Sequence, residues 1–311
     1  LHMLKDYKTR VTGNYELLRA LLEVVNRDAD KLIRLNREAD EATIAQGRMA
    51  SGRSPFPIRL EAAEETVPVA YRSFGFERVL SDVSGGIWIR YNTSPRELTV
   101  PRTSAIKVAK SVVPPLAYLI PAPWTSVISV LEAHGIKVRR TTRPWMGEVD
   151  TYRCEGVKWQ AQSFEGRQAP IIPVPTGDSP QGGCVPVREP LSFPRGSALV
   201  PLDQRAARVA IHFLEPEAPD SAVAWGFFNA VFEQKEYAES YVMEKLAREM
   251  MEKDPKLREE FERKVAGEKE FAADPQARLQ FFYRRSPWWD SRMGLYPVGR
   301  LESTEGIPLA P

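Results

Sequence analysis

Histidine and cysteine are both scarce. Three histidines, His2, His134 and His212, lie scattered over 311 residues, and there are two cysteines, Cys154 and Cys184. A self-contained zinc site or a Ser–His hydrolase site needs such side chains in a cluster, and this spacing offers none. Two cysteines are too few to fix a redox compartment: they pair in an oxidising space or stay free as buried thiols. Charge imbalance is also missing. The net charge is +2, so bulk basicity gives no argument for a nucleic-acid partner. No apolar run nears the roughly 18 residues a membrane span requires. No signal peptide opens the chain, and Leu1 runs at once into a helical pattern. The expectation is a chain that begins partway through a larger protein. No His-Glu-x-x-His, Gly-x-Ser-x-Gly or P-loop pattern occurs, and no His-x-x-Glu zinc pair is expected within the chain.

What is abundant is proline, at 26 residues, concentrated between Pro170 and Pro201. The stretch from Ala169 to Pro190 is therefore expected to be a long irregular excursion. Residues 14 to 46 predict one long helix. Leu18, Leu22, Val25, Ala29, Leu32 and Ala39 keep one face apolar, and Thr12-Gly13-Asn14 supplies a start. Short strands are expected at Val67 to Tyr71, Arg78 to Val83, Ile87 to Tyr91 and Tyr118 to Ile120. A helix entered through Pro121 and closed by Gly135 leads to a strand at Ile136 to Val138, an α/β order. Val200-Pro201-Leu202 before a helix from about Gln204 to Leu214 echoes Tyr118-Leu119-Ile120-Pro121 before its own helix. From Trp225 onward the pattern is helical, restarting at Asp254-Pro255 and at Asp274-Pro275.

Most chemistry-bearing residue types have a structural explanation at hand. His134 at a helix end and His212 between Ile211 and Phe213 read as structural. Ser84-Gly85-Gly86 reads as turn glycine. Trp288-Trp289 reads as a buried aromatic clasp, with a sugar-stacking platform as the alternative.

His2-Met3-Leu4-Lys5-Asp6-Tyr7-Lys8-Thr9-Arg10-Val11 resembles the segment that carries the third zinc ligand in a bacterial branch of the zinc metallocarboxypeptidases, the carboxypeptidase A type. Further strings are similar to the same branch. They are Ala117-Tyr118-Leu119-Ile120-Pro121 before Trp124, Val200-Pro201-Leu202-Asp203-Gln204, Leu214-Glu215-Pro216-Glu217-Ala218-Pro219-Asp220-Ser221, Trp225-Gly226-Phe227-Phe228-Asn229, and Phe281-Phe282-Tyr283-Arg284-Arg285-Ser286-Pro287. The resemblance implies zinc held by a His-x-x-Glu pair and one later histidine, with a metal-bound water as nucleophile. It places His2 as the metal ligand on this chain. A His-Met pair at a chain start is also a common cloning remnant; the match running on through Lys5, Tyr7, Arg10 and Val11 favours a native segment. For the glutamate that takes the water's proton, Glu77 is the best-placed residue, with Glu97 and Glu148 as alternatives.

The expected fold class is α/β. It comprises a partial mixed-sheet peptidase domain over residues 1–110, an α/β to β-rich appended region over 111–222, and a helical C-terminal tail over 223–311 that packs back on the core. The expected function is that of a C-terminal fragment of a zinc-dependent carboxypeptidase acting on a peptide or protein substrate. Such a fragment is inactive alone, because the His-x-x-Glu pair and the substrate-clamping arginines precede the third histidine in that family. Zinc belongs to the intact protein, and extracytoplasmic placement is common in the branch. The alternatives are a noncatalytic peptide- or glycan-binding module and a pseudoenzyme.

Overall fold

A computed structural model describes residues 5–173 and 183–310. The chain divides into two compact units, one formed by residues 1–51 with 115–311 and the other by 52–114. Helices and several antiparallel sheets make it α/β in class, as expected. No helix among the described residues is long and apolar enough to cross a membrane.

The larger unit opens with α1 (Tyr7–Arg27) and α2 (Ala29–Arg48). The single long helix expected there starts about two turns earlier and breaks once. Asp6 caps α1, its carboxylate accepting from the Thr9 amide at 2.9 Å. Asp28, at φ −105° and ψ 17°, interrupts the helical path before α2. Near the end of α2, Gly47 is buried, and a Cβ there would collide with the Leu202 carbonyl. Arg205 pairs with Asp40 at 2.8 Å beside it.

The smaller unit holds β1 (Phe56–Ala62), β2 (Val67–Leu80), β3 (Ile87–Arg102) and β4 (Ile106–Val112). Strands β2 and β3 form one long antiparallel hairpin, where shorter separate strands are expected. Its turn closes between Ser81 and Gly86, with Gly85 at φ 69°.

The rest of the larger unit runs β5 (Ala117–Ile120), α3 (Thr125–Ala133), β6 (Arg139–Arg140), β7 (Trp145–Glu155), β8 (Lys158–Trp159) and β9 (Pro170–Ile171). It continues with β10 (Gly183–Phe193), β11 (Ala198–Pro201), α4 (Ala207–Leu214) and α5 (Asn229–Phe232). Helices α6 (Ser240–Lys253), α7 (Pro255–Gly267), α8 (Lys269–Ala273) and α9 (Pro275–Tyr283) lead to β12 (Gly299–Leu301). The expected strand at Ile136 to Val138 does not form; the chain joins the sheet just beyond it, at β6.

The central sheet has the order β10-β7-β12-β5-β11-β6. Its neighbours all pair antiparallel, so it is not mixed in direction. The two echoing strings are adjacent strands of this sheet, Leu199 opposite Leu119 and Val200 opposite Tyr118. One sheet face is apolar, built from Ala117, Leu119, Val149, Phe193, Leu199 and Leu301.

Part of the expected irregular excursion is in fact the long strand β10; residues 174–182 of it lie outside the described residues. The prolines are tolerated because of where they fall. The Cys154 amide donates to the Gly294 carbonyl, away from β10, and Tyr152 accepts from the Tyr296 amide on that same side. Pro186 stands opposite Tyr152 and Pro190 opposite Glu148, so both share the alternation that makes no bond to β7. Their missing N–H groups face the open edge of the sheet, where they remove donors that a stray strand would otherwise capture.

The register also sets Cys184 directly opposite Cys154, and the two form a disulfide. The helical region has its own core of Met243, Ala247, Phe271, Phe281, Phe282 and Tyr283. Both Asp-Pro helix starts form as expected. Asp254 accepts from Lys256 and Leu257 amides at 3.0 and 3.2 Å, and Asp274 from the Ala277 amide at 3.0 Å. The aromatic end is divided: Trp289 packs edge-on against Tyr283, while Trp288 is exposed.

Candidate functional site

The face of the central sheet opposite its apolar core carries a polar node. Tyr118 on β5, Tyr152 on β7 and Arg300 on β12 come together because β12 lies between the other two strands. Glu215 meets them at the point where α4 ends. The Tyr118 hydroxyl donates to Glu215 Oε1 at 2.6 Å and the Tyr152 hydroxyl to Oε2 at 2.5 Å. Arg300 Nε lies 3.2 Å from Oε1, and its Nη1 donates to the Tyr152 hydroxyl at 3.0 Å. The Tyr296 hydroxyl donates to the Leu214 carbonyl at 2.8 Å, holding the helix end over the node.

Glu215 is almost fully buried. An ionised carboxylate tolerates that only when paired and hydrogen-bonded, as it is here. Burial drives the Tyr118 and Tyr152 hydroxyls well above their ordinary range, and the adjacent Glu215 charge adds to it. Burial alone would lower the Arg300 guanidinium, but Glu215 and the two tyrosines outweigh it and the net direction is upward. Tyr296 is likewise raised, by burial first and Glu215 second.

These hydroxyls ionise in the unfolded chain near the ordinary value of 10.0 and later in the fold. Below pH 10 the stability they contribute is intact. Above it the unfolded state binds fewer protons, and each tyrosine erodes stability by about 1.4 kcal/mol per pH unit. Urea unfolding at successive pH values should therefore show a steep decline starting near pH 10. A flat profile to pH 11 would contradict the buried, neutral hydroxyls.

Contrary to expectation, the chain does contain one His-x-x-Glu spacing, His212-Phe213-Leu214-Glu215. It does not fit a zinc pair: both Glu215 oxygens are committed to tyrosines and Arg300. His212 is half-buried on α4, where burial lowers its pKa against the opposing pull of Asp220. Among the described residues no group of three or more His, Cys, Asp or Glu is placed to hold a metal ion. His2 lies outside the described residues. Glu77 sits exposed on the hairpin of the smaller unit, ion-paired with Arg90 at 2.6 Å. Glu97 lies on the same hairpin opposite Arg72. Glu148 is exposed on β7. His134 is exposed past the end of α3.

A separate cleft of about 550 Å³ opens on the larger unit. Trp124, Tyr283 and Trp289 line it, together with Leu191 of the edge strand, Lys235 and Arg292. Trp124 is anchored against Phe228 at 4.6 Å between ring centroids. Both cations of its lining are paired: Lys235 with Glu233 at 2.7 Å and Arg292 with Asp290 at 3.2 Å. A cleft of this size with aromatic walls suits a small ligand or a peptide side chain by contact area.

Sequence reasoning missed both features. The string Leu214-Glu215-Pro216 stood out, but a carboxylate following the apolar run Ile211 to Leu214 was the available sign of a buried, partnered charge. The cleft joins segments remote in sequence and leaves no local signature.

No protein-family profile matches the chain, and no solved structure matches it. It is similar to proteins named carboxypeptidase 2 from Trichophyton tonsurans, Trichophyton rubrum and Trichophyton equinum, at 29% identity over 112 residues in each case. The match covers 36% of this chain and 19% of each of those proteins, so the chain spans about a fifth of their length. The likeness to carboxypeptidases is thus partial and weak.

Proposed function

We propose that this chain is the C-terminal portion of a zinc-dependent carboxypeptidase of the carboxypeptidase A type, contributing scaffold to an enzyme that hydrolyses a peptide bond near a substrate's C-terminus. The observation that carries this reading is the 112-residue similarity to the three fungal carboxypeptidases. The strings around His2, Ala117 to Pro121, Val200 to Gln204 and Phe281 to Pro287 support the finer assignment. In this reading zinc belongs to the intact protein, and the ligands that accompany His2 come from outside this chain. Glu77 holds its place as the base on resemblance alone, since it is exposed and already paired with Arg90. The Cys154–Cys184 disulfide supports an oxidising, extracytoplasmic setting.

The test uses two polypeptides. This chain alone should bind no stoichiometric zinc and show no turnover of blocked peptides, and the intact protein should do both. Zinc and turnover in this chain alone would refute its dependence on upstream ligands. Neither in the intact protein would sink the peptidase reading.

The aromatic cleft favours a second reading, a noncatalytic module that binds peptide or glycan. The upstream coding sequence separates the two: a His-x-x-Glu pair there supports the enzyme, and an unrelated domain supports the module.

A further inference from the structure

One negative charge in the aromatic cleft is left over after its ion pairs are drawn. Five charged residues line the cleft, the carboxylates Glu233, Glu236 and Asp290 and the cations Lys235 and Arg292. Each cation is paired within the lining, Lys235 with Glu233 and Arg292 with Asp290. Glu236 remains, exposed, its carboxylate making no ion pair or hydrogen bond among the described residues. Its backbone is nonetheless fixed. Gln234 Nε2 donates to the Glu236 carbonyl at 2.7 Å, and Gln234 Oε1 accepts from Gln280 at 3.1 Å. The stretch after α5 is thereby tied to α9, with Glu236 in the cleft wall.

The aromatic walls are also anchored. Trp124 packs on Phe228, and Trp289 lies edge-on to Tyr283 at 5.3 Å. The Arg284 guanidinium stands 5.7 Å from the Trp289 ring centre. Indole attracts cations more strongly than the other aromatic rings, and this contact shows Trp289 doing so within the protein itself.

These residues discriminate among ligand classes. An acidic group would meet Glu236 and two cations that are already neutralised. A sugar needs side-chain partners for its hydroxyls beside the stacking ring, and the lining's one side-chain amide, Gln234, is engaged at both ends. A lysine or arginine side chain suits both features. Its apolar stem lies along the aromatic walls while its charge faces Glu236. Strand addition would not hold such a peptide, because Pro190, in the cleft wall at the open sheet edge, has no N–H to give. Recognition falls to the side chain.

We infer that the cleft walled by Trp124, Tyr283 and Trp289 is a binding site for a basic peptide side chain, lysine or arginine, with Glu236 as its charge partner. The inference deepens the peptide-binding reading of the cleft and is independent of the zinc-peptidase one.

Blocked tripeptides test it on this chain, read by the indole N–H signals of Trp124 and Trp289 in nuclear magnetic resonance. Acetyl-Gly-Lys-Gly-amide should shift both signals and bind about tenfold more tightly than its norleucine counterpart, which has a similar stem and no charge. Glu236→Gln should weaken the lysine peptide about three- to fivefold and leave the norleucine peptide unaffected. It should also leave the thermal midpoint unchanged, because Glu236 is exposed. Raising salt from about 50 to about 500 mM should weaken the lysine peptide in wild type and far less in Glu236→Gln. Equal binding of the lysine and norleucine peptides overturns the inference, as does undiminished affinity in Glu236→Gln. Preference for the Gly-Glu-Gly counterpart or for a chitin trisaccharide overturns it too. Binding of the norleucine peptide or the trisaccharide alone would remove this ligand and leave the binding-module reading standing. No shift with any of the four probes would remove both.

Discussion

Glu215→Ala is expected to cost about 3–5 kcal/mol of folding stability, the usual price of stranding one partner of a buried ion pair. The Arg300 guanidinium would stay enclosed with its counter-charge gone, and the Tyr118 and Tyr152 hydroxyls would each lose the acceptor they now meet. Denaturant titration measures the change. Glu215→Gln keeps an acceptor for the tyrosines but not the charge, so it should fall between wild type and Glu215→Ala. The double variant E215A/R300M removes both charges together and should recover much of the loss, because the penalty lies in the unpaired partner and not in the absent bond. A single-variant loss below about 1 kcal/mol would mean that water reaches the node and that Glu215 is not enclosed as described.

The second large effect concerns Cys154 and Cys184. Their bond closes a loop with a sequence separation of 30 residues. In the chain-entropy account, removing such a closure destabilises by about 3–4 kcal/mol. Replacing both cysteines with alanine should lower the thermal midpoint by about 5 °C or more. Mass spectrometry of the alkylated, unreduced protein checks the bond itself. Full alkylation of both thiols in native protein would remove the bond and, with it, its support for an oxidising compartment.

Local chemistry was legible in the sequence and long-range chemistry was not. Asp254-Pro255 and Asp274-Pro275 announce helix starts because an aspartate cap and a proline with no N–H to lose act within one turn. The apolar repeat from Leu18 to Ala39 marks helix, but the break at Asp28 is a change of backbone torsion at one residue, to φ −105° and ψ 17°, that the repeat does not encode. Strand β10 was hidden because proline counts against a strand unless its outward alternation on an edge is known, and that is a property of the sheet. The cysteine pair waited on the same register. The Glu215 node draws its partners from β5, β7 and β12, and His212-x-x-Glu215 shows how a motif spacing can be present while its carboxylate is engaged elsewhere. The two carboxylates on the hairpin, Glu77 and Glu97, were located by resemblance, and the structure gives each an arginine as neighbour.

Strand β12 has a consequence for how this protein is made. It is the last of this sheet's strands in chain order, yet it occupies an inner position between β7 and β5. Until it arrives, β7 and β5 have no common neighbour, and the half-built layer presents two raw margins instead of one continuous surface. Closing this layer strand by strand in chain order is therefore barred: the sheet must await β12, and in that interval it is the species most exposed to misassembly and to protease.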